Sequence, residues 1–508
     1  MGKDIKISNG MNLFLKLCFT GVFIFSIFFA SWYALNGDMV FGTDVARDFH
    51  ILREISEKKL ILIGPRASGD LFHGPGWPYL NYPFFVLGNG NPVAVGWGWV
   101  FFTAISGLIA FYVGKNLFGI KIAYLFGSMA VLNTAFHARG MINPHAVMIL
   151  IPLFFFSFVK YFQTSKLKYL ILNILVGGLM VQMELMAVPL LVLSFGAIIF
   201  KQIKEKRFRQ IPFFLIFALI LSNFLIFDLR HDFLLSKRFL EFTSPQDGPI
   251  YGYRDFFQNR IDLAFQGTEI LRRNIGPANL FLFLTTIGFV FVQIRRKKYM
   301  FFYLSFLYFY FGYFILSLLN KGQVLYFHQF PIFPLVFLVF SSFITSKYSK
   351  QFILLFFVIL ALNLRSAYLD IKESEGFIGK DMYSWRFLNE ASAKIFQGKE
   401  KELGYFVYSP DVVAHEPKYA AIYNAEKSNK KSYYFQKKPV TYLFIQPPPP
   451  NDPYMTEDFW IKSQLNISAS PSSTIVFPNG YKLEKFELSK EQIAIPFDPA
   501  IDPGLHFR

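Results

Sequence analysis

The run NLFLKLCFTGVFIFSIFFASWYAL, residues 12–35, is followed beyond residues 36–41 by Gly42-Thr43-Asp44-Val45-Ala46-Arg47-Asp48-Phe49-His50. The run is too long for the apolar core of a cleavable signal peptide. At ~20 residues per span it is a first transmembrane helix. The second stretch puts two carboxylates, an arginine and an imidazole where that helix ends. With Thr43 as N-cap of a helix over 43–59, Asp44 falls in the first turn, and Arg47 and Asp48 lie one turn on, so the three cluster at one end. Acidic residues also collect at helix starts because the dipole favours them there.

Working outward, the 508 residues are 53% apolar and 19% aromatic, with a mean hydropathy of +0.36, and the apolar residues come in long blocks. This is the composition of a polytopic membrane protein. Runs long enough to span fall at 12–35, 93–113, 117–136, 146–163, 168–182, 185–200, 211–227, 279–294, 299–319, 330–346 and 351–369, eleven in all. Residues 168–200 could form one long helix, but Gln182, Glu184 and Pro189 lie near its middle. A carboxylate is costly there against lipid, so two short helices with a tight turn are predicted. A net charge of +17 would suggest nucleic acid in a soluble protein. Here the lysines and arginines cluster between apolar runs, which makes them topology signals, and no nucleic-acid partner is expected. The lone Cys18 excludes a disulfide framework and a cysteine metal site.

With residues 168–200 split, the basic clusters at 115–121, 160–168, 201–209, 295–298 and 347–350 all fall on one side, the cytoplasm, together with the amino terminus. Residues 36–92, 137–145, 183–185, 228–278, 320–329 and the tail are then extracytoplasmic. The first of these loops reads as two interfacial amphipathic helices, near 43–59 and 76–87, the latter carrying Trp77, Tyr79 and Tyr82. From about Gly376 strand and helix signals alternate, with Pro478-Asn479-Gly480 as a hairpin turn. The expected fold is therefore mainly α: a transmembrane domain over 1–370 with about eleven helices and long outer loops at 36–92 and 228–278, then an extracytoplasmic α/β domain over 371–508.

The polar residues share the outer face. Asp44 offers a base and Arg47 a cation at the bilayer surface, where a lipid headgroup would lie. His73-Gly74-Pro75-Gly76 could orient an acceptor, bind phosphate or be an interfacial turn. His137, Arg139, Asn143 and His145 fill a short turn between helices. Gln182 and Glu184 tip an unusually short helix pair; Asp228-Leu229-Arg230-His231-Asp232 ends the seventh run; Lys321, Tyr326, His328 and Gln329 precede the tenth. An ordinary polar turn or snorkelling cap explains each of these as well as a site does. There is no Walker loop, dinucleotide fingerprint, HExxH or CxxC, which argues against a nucleotide-driven pump.

In order, Asp44-Val45-Ala46-Arg47-Asp48, Gly64-Pro65 with Ser68, His73-Gly74-Pro75-Gly76-Trp77-Pro78-Tyr79-Leu80, Arg139 with Asn143-Pro144, Asp228-Leu229-Arg230-His231 and Tyr326-Phe327-His328 resemble the bacterial branch of the dolichyl-phosphate-mannose protein mannosyltransferase family. These are GT-C-fold enzymes related to the lipid A aminoarabinose transferases, and the resemblance covers about residues 10–370. It implies an inverting glycosyltransferase of the bacterial inner membrane. Such an enzyme takes a sugar from a polyprenyl-phosphate carrier to a hydroxyl of a glycan, lipid or protein outside the cytoplasm. By that resemblance Asp44 is the base, with Asp48 and Arg47 of the same motif shaping the site or holding phosphate. Apart from the resemblance, Arg139, Arg230 and His328 are candidates for the donor phosphate, and His73 and Glu184 for the acceptor. An activated phosphodiester leaving group admits a divalent metal without requiring one. The rival readings are a lipid-linked-oligosaccharide polymerase or ligase, which would rely on loop 228–278, and a lipid-sugar flippase, which would carry mid-span charges and paired halves.

Overall fold

The computed structural model describes residues 9–58, 60–67, 71–243, 252–266, 269–273, 276–320, 324–411, 413–448 and 456–501. The helices are α1 (Asn9–Leu35), α2 (Thr43–Lys58), α3 (Gly76–Leu87), α4 (Pro92–Phe118), α5 (Ile120–His137), α6 (Asn143–Thr164), α7 (Leu167–Met183), α8 (Val188–Lys204), α9 (Leu215–Ile220) and α10 (Ser222–Arg230). Then come α11 (Leu234–Thr243), α12 (Tyr253–Gln266), α13 (Gly276–Arg295), α14 (Met300–Ser317), α15 (Phe333–Ser341), α16 (Ser349–Phe377), α17 (Trp385–Ala393) and α18 (His415–Lys427). Strands β1 (Glu402–Tyr408), β2 (Lys431–Tyr434), β3 (Val440–Ile445), β4 (Ser473–Val476) and β5 (Lys482–Glu487) lie in the tail.

All eleven apolar runs are helical. Among the described residues, seven helices are long and apolar enough to cross a membrane, and the bent pair Phe208–Ile220 and Ser222–Arg230 would make an eighth. The chain is a multi-pass membrane protein. The bend of 53° in that pair departs from the single span expected over 211–227. Its cause lies on a neighbouring helix: the Gln182 amide donates to the Ile220 carbonyl at 2.7 Å and to Asn223 Oδ1 at 2.6 Å, holding the ladder open where the turn breaks.

The chain divides into two compact units. The first comprises Met1–Ser31, Leu60–Leu80 and Gly98–Ile371. Here α6 packs along α7, α14 on α8, and α15 on α5 and α6. The apolar helix faces gain little from burial in a lipid setting, so small and polar residues carry the close contacts. Asn173 on α7 donates to the Phe154 carbonyl at 3.1 Å and to Ser157 at 3.0 Å, and accepts from Ser194 of α8 at 2.8 Å. Edge-to-face rings fill the rest, as where Phe158 meets Phe309 at 4.9 Å and 90°.

The second unit comprises Trp32–Lys59, Asn81–Trp97 and Lys372–Arg508. The tail thus shares a unit with two segments of the first 97 residues. The reason is Asp38. Its buried carboxylate accepts from the amides of Met39 at 2.7 Å, Gly379 at 3.0 Å and Arg386 at 3.0 Å, and from the Ser384 hydroxyl at 2.6 Å. Val40 bridges Ser384, and Phe41 stacks among Phe49, Trp385 and Tyr419 at 5.0–5.5 Å. Burial pushes the Asp38 carboxyl above the usual carboxylate range, and these four donors oppose the shift.

The sheet of this unit runs β2-β1-β3-β5-β4, with β2 and β3 parallel to β1 and with β5 antiparallel to β3 and β4. Helix α18 is the crossover from β1 to β2 that parallel pairing requires. The chain then passes over β1 to reach β3. Gly404 permits that crossing, since a Cβ there would lie 2.0 Å from the Gln436 carbonyl oxygen.

Candidate active site

Helix α2 presents the predicted constellation in the second unit. The side chain of Asp44 is half exposed, Arg47 Nη1 donates to its Oδ1 at 2.8 Å, and Arg47 Nη2 reaches Asp48 Oδ1 at 3.1 Å. Asp44, Arg47 and Asp48 are therefore one group, with the outer carboxylate open and the inner one buried. A carboxylate held by a guanidinium on one oxygen keeps its remaining lone pairs for a proton from outside.

An adjoining stripe of α2 faces α18. Thr43 donates its hydroxyl to Glu416 Oε1 at 2.6 Å, His50 Nε2 lies 3.0 Å from the His415 carbonyl, and Arg53 pairs with Glu426. Burial, with the His415 ring, Arg53 and Lys418 adding to it, pushes the His50 imidazole down to about 3. Burial, with Arg47 and Lys418, pushes His415 down to about 4. Both rings are neutral in the folded unit and regain a pKa near 6.5 when unfolded. Their stability contribution is full above pH 6.5 and is lost as pH falls towards 4, by about tenfold in the opening equilibrium per proton per pH unit. Glu416 and Asp38 run the other way, since burial raises their pKa and the folded unit takes up their protons first. His50→Gln keeps a donor for the His415 carbonyl. It is expected to make the pH dependence of amide exchange in α18 shallower by one proton between pH 6.5 and 4, and an unchanged slope would refute the assignment.

In the first unit His73 and Glu184 come together. His73 Nδ1 lies 3.4 Å from Glu184 Oε1 and 3.3 Å from the Leu185 amide, where α7 ends, and Glu184 is buried. The chain reaches α7 closely enough that a Cβ on Gly74 would lie 2.6 Å from the Gln182 carbonyl oxygen. Asn143 supports the same helix end by donating to the Met183 carbonyl at 3.0 Å.

A second cluster in this unit surrounds Glu269, which the sequence did not single out. The buried carboxylate accepts from Asn133 at 2.9 Å, from Arg272 and from the Tyr326 hydroxyl, and His137 Nε2 lies 3.7 Å away. Burial alone would raise its pKa. The Arg272 charge and the His137 and Tyr326 contacts outweigh burial and hold it well below the usual carboxylate range. His137, His145 and Phe330 stack as a triangle of rings 4.5–4.8 Å apart. Asn363 and Asn279 fix the backbone of residues 270–272 at 2.9–3.0 Å.

Arg139 lies 3.9 Å from Asp370, which also pairs with Arg273 at 3.0 Å, and both guanidiniums are half exposed. His328 Nδ1 accepts from the Leu325 amide at 3.2 Å, and burial pushes the ring down to about 4. At neutral pH it can offer a phosphate a hydrogen bond but no charge. Arg230 is exposed at the end of α10 and, among the described residues, joins neither the His73–Glu184 pair nor the Glu269 cluster. Lys321 lies outside the described residues. Among them, no group of three or more His, Cys, Asp or Glu side chains is placed to hold a metal ion.

No protein-family model matches the chain, and no curated protein matches its sequence. Among solved structures, ArnT from Cupriavidus metallidurans bound to undecaprenyl phosphate aligns with a TM-score of 0.57 at 12% identity, over 94% of this chain and 99% of ArnT. The chain has a GT-C fold. ArnT in the apo state aligns almost as well, with a TM-score of 0.56 at 10% identity over 92% of this chain and 97% of ArnT. The archaeal oligosaccharyltransferase AglB from Archaeoglobus fulgidus aligns at 0.42 and 10% identity, over 84% of this chain and 69% of AglB, too distant to bear on this chain. The GT-C fold implied by the family resemblance is thus observed.

Proposed function

We propose that this chain is an inverting membrane glycosyltransferase that moves a sugar from a polyprenyl-phosphate carrier to a hydroxyl acceptor on the extracytoplasmic side. The observation that carries the reading is the open Asp44 carboxylate held by Arg47 at the start of α2, in a chain that follows the ArnT fold over 94% of its length. That ArnT was solved with undecaprenyl phosphate supports the carrier class. In the reaction, the acceptor oxygen attacks the anomeric carbon from the face opposite the phosphate and gives its proton to Asp44. The bond from carbon to phosphate oxygen breaks, the electron pair leaves with the polyprenyl phosphate, and the configuration inverts. Arg47 orients the base, with Asp48 fixing the far side of the guanidinium. Arg139 and Arg230 meet the phosphate as cations and His328 as a neutral donor. His73 and Glu184 hold the acceptor.

The test is transfer of label from radiolabelled polyprenyl-phosphate sugars to the cells' own glycans, lipids and proteins, in membranes with and without the expressed protein. Label that appears in an acceptor only with the protein supports the reading. Label that merely changes sides on its carrier would replace this reading with a flippase.

A further inference from the structure

Asp44 sits one residue into α2, and that first turn is tied to a distant part of the chain. Thr43 occupies the N-terminal position, yet its hydroxyl donates 373 positions along the chain to Glu416 Oε1 at 2.6 Å. Glu416 is only 3% exposed and lies at the start of α18. That start is in turn tied to the sheet: Asp411 Oδ1 accepts from the Ala414 amide at 2.9 Å and from Ser409, which follows β1, at 2.8 Å, while Ser409 also meets Gln446, which follows β3, at 2.9 Å. Hydrogen bonds thus tie the ends of two core strands to Ala414, just before α18, and two residues further on Glu416 holds the residue beside Asp44. Thr43, His50 and Arg53 lie at spacings of seven and three on one stripe of α2, and all three contact α18. Asp44 and Glu416 are also close enough for the Asp44 charge to help raise the Glu416 carboxyl, behind burial as the main cause.

We infer that the C-terminal domain is the positioning element of the base, with Glu416 as the positioning residue acting through Thr43. This rests on the reading of Asp44 as base. A base must be within about 2.6–3.2 Å of the proton it takes, so a first turn free to fray would lose rate without losing substrate. Glu416 holds that turn and does not touch the substrate.

The experiment uses the full chain in lipid nanodiscs. Glu416→Ala, Glu416→Gln and Thr43→Val are compared by amide exchange of residues 45–52, with β1 amides as the control for folding, and by transfer from radiolabelled undecaprenyl-phosphate sugars in membranes. Glu416→Ala and Thr43→Val are each expected to speed exchange in the first turns of α2 roughly ten- to a hundredfold, the size of one hydrogen bond to a charged group. They should lower kcat to a similar degree with KM for the lipid donor unchanged. Glu416→Gln retains an acceptor for Thr43 and is expected to restore the slow exchange. The double variant Thr43→Val with Glu416→Ala is expected to be no worse than either single one. Exchange in α2 that is the same in Glu416→Ala as in wild type overturns the inference, and so does a Glu416→Gln variant as loose as Glu416→Ala. If α2 loosens as expected while Asp44→Asn transfers sugar at the wild-type rate, the clamp stands and the assignment of the base fails.

Discussion

Replacing Asp44 by asparagine is expected to slow sugar transfer by ~10²–10⁴-fold, the range for losing a positioned general base. Asparagine keeps the volume and an oxygen that can accept from Arg47 Nη1, now 2.8 Å away, so the helix start retains its geometry. What disappears is the ability to take a proton at neutral pH. The side chain is half exposed, and exposed substitutions of this kind seldom move stability by more than about 0.5 kcal/mol. The loss should therefore appear in kcat, with the amount of folded protein in the membrane unchanged. Equal transfer by wild type and Asp44→Asn, at equal expression, would reduce Asp44 to a helix-start carboxylate.

The largest expected effect on stability lies at Glu269. Glu269→Ala leaves Arg272 inside the protein without its carboxylate and also removes the acceptor of Asn133 and Tyr326. Breaking a buried pair by removing one partner costs ~3–5 kcal/mol, because the remaining charge has no compensation. The double variant Glu269→Ala with Arg272→Ala removes that charge as well, so it is expected to recover part of the loss. Thermal unfolding of the purified variants in one detergent measures both. A single variant within about 1 kcal/mol of wild type would mean that water already reaches the cluster and screens it.

Most of the framework was legible because long apolar runs and turn signals are local properties. The eleven runs, the break at Glu184 and both helices of the 36–92 segment follow from composition and periodicity within a few residues of each feature. The Asp44–Arg47–Asp48 group was legible for the same reason, since one helical turn brings its members together. The bend after Ile220 was not, because Gln182, which holds it open, lies on another helix. Glu416 looks in sequence like any acidic residue in a first helical turn, and its partner Thr43 is 373 positions away. Glu269 falls in a polar loop where a carboxylate is unremarkable until Asn133, Arg272 and Tyr326 close around it. Strand β2, Lys431-Ser432-Tyr433-Tyr434, is a short polar edge and carries no alternation strong enough to announce itself.

The sequence distance between Thr43 and Glu416 also sets an order of events during biosynthesis. Helix α2 leaves the ribosome early. Its partner helix follows 373 residues later, which at ~5–20 residues per second is a wait of roughly 20–75 s. Over that interval Phe41 and Phe49 lack Trp385 and Tyr419, the rings that later cover them, and Asp38 lacks Ser384. The nascent chain can therefore insert its membrane helices well before the helix bearing Asp44 has α18 to dock against. On the proposed reading, the growing polypeptide lacks the clamp beside Asp44 until the segment of α18 has been made.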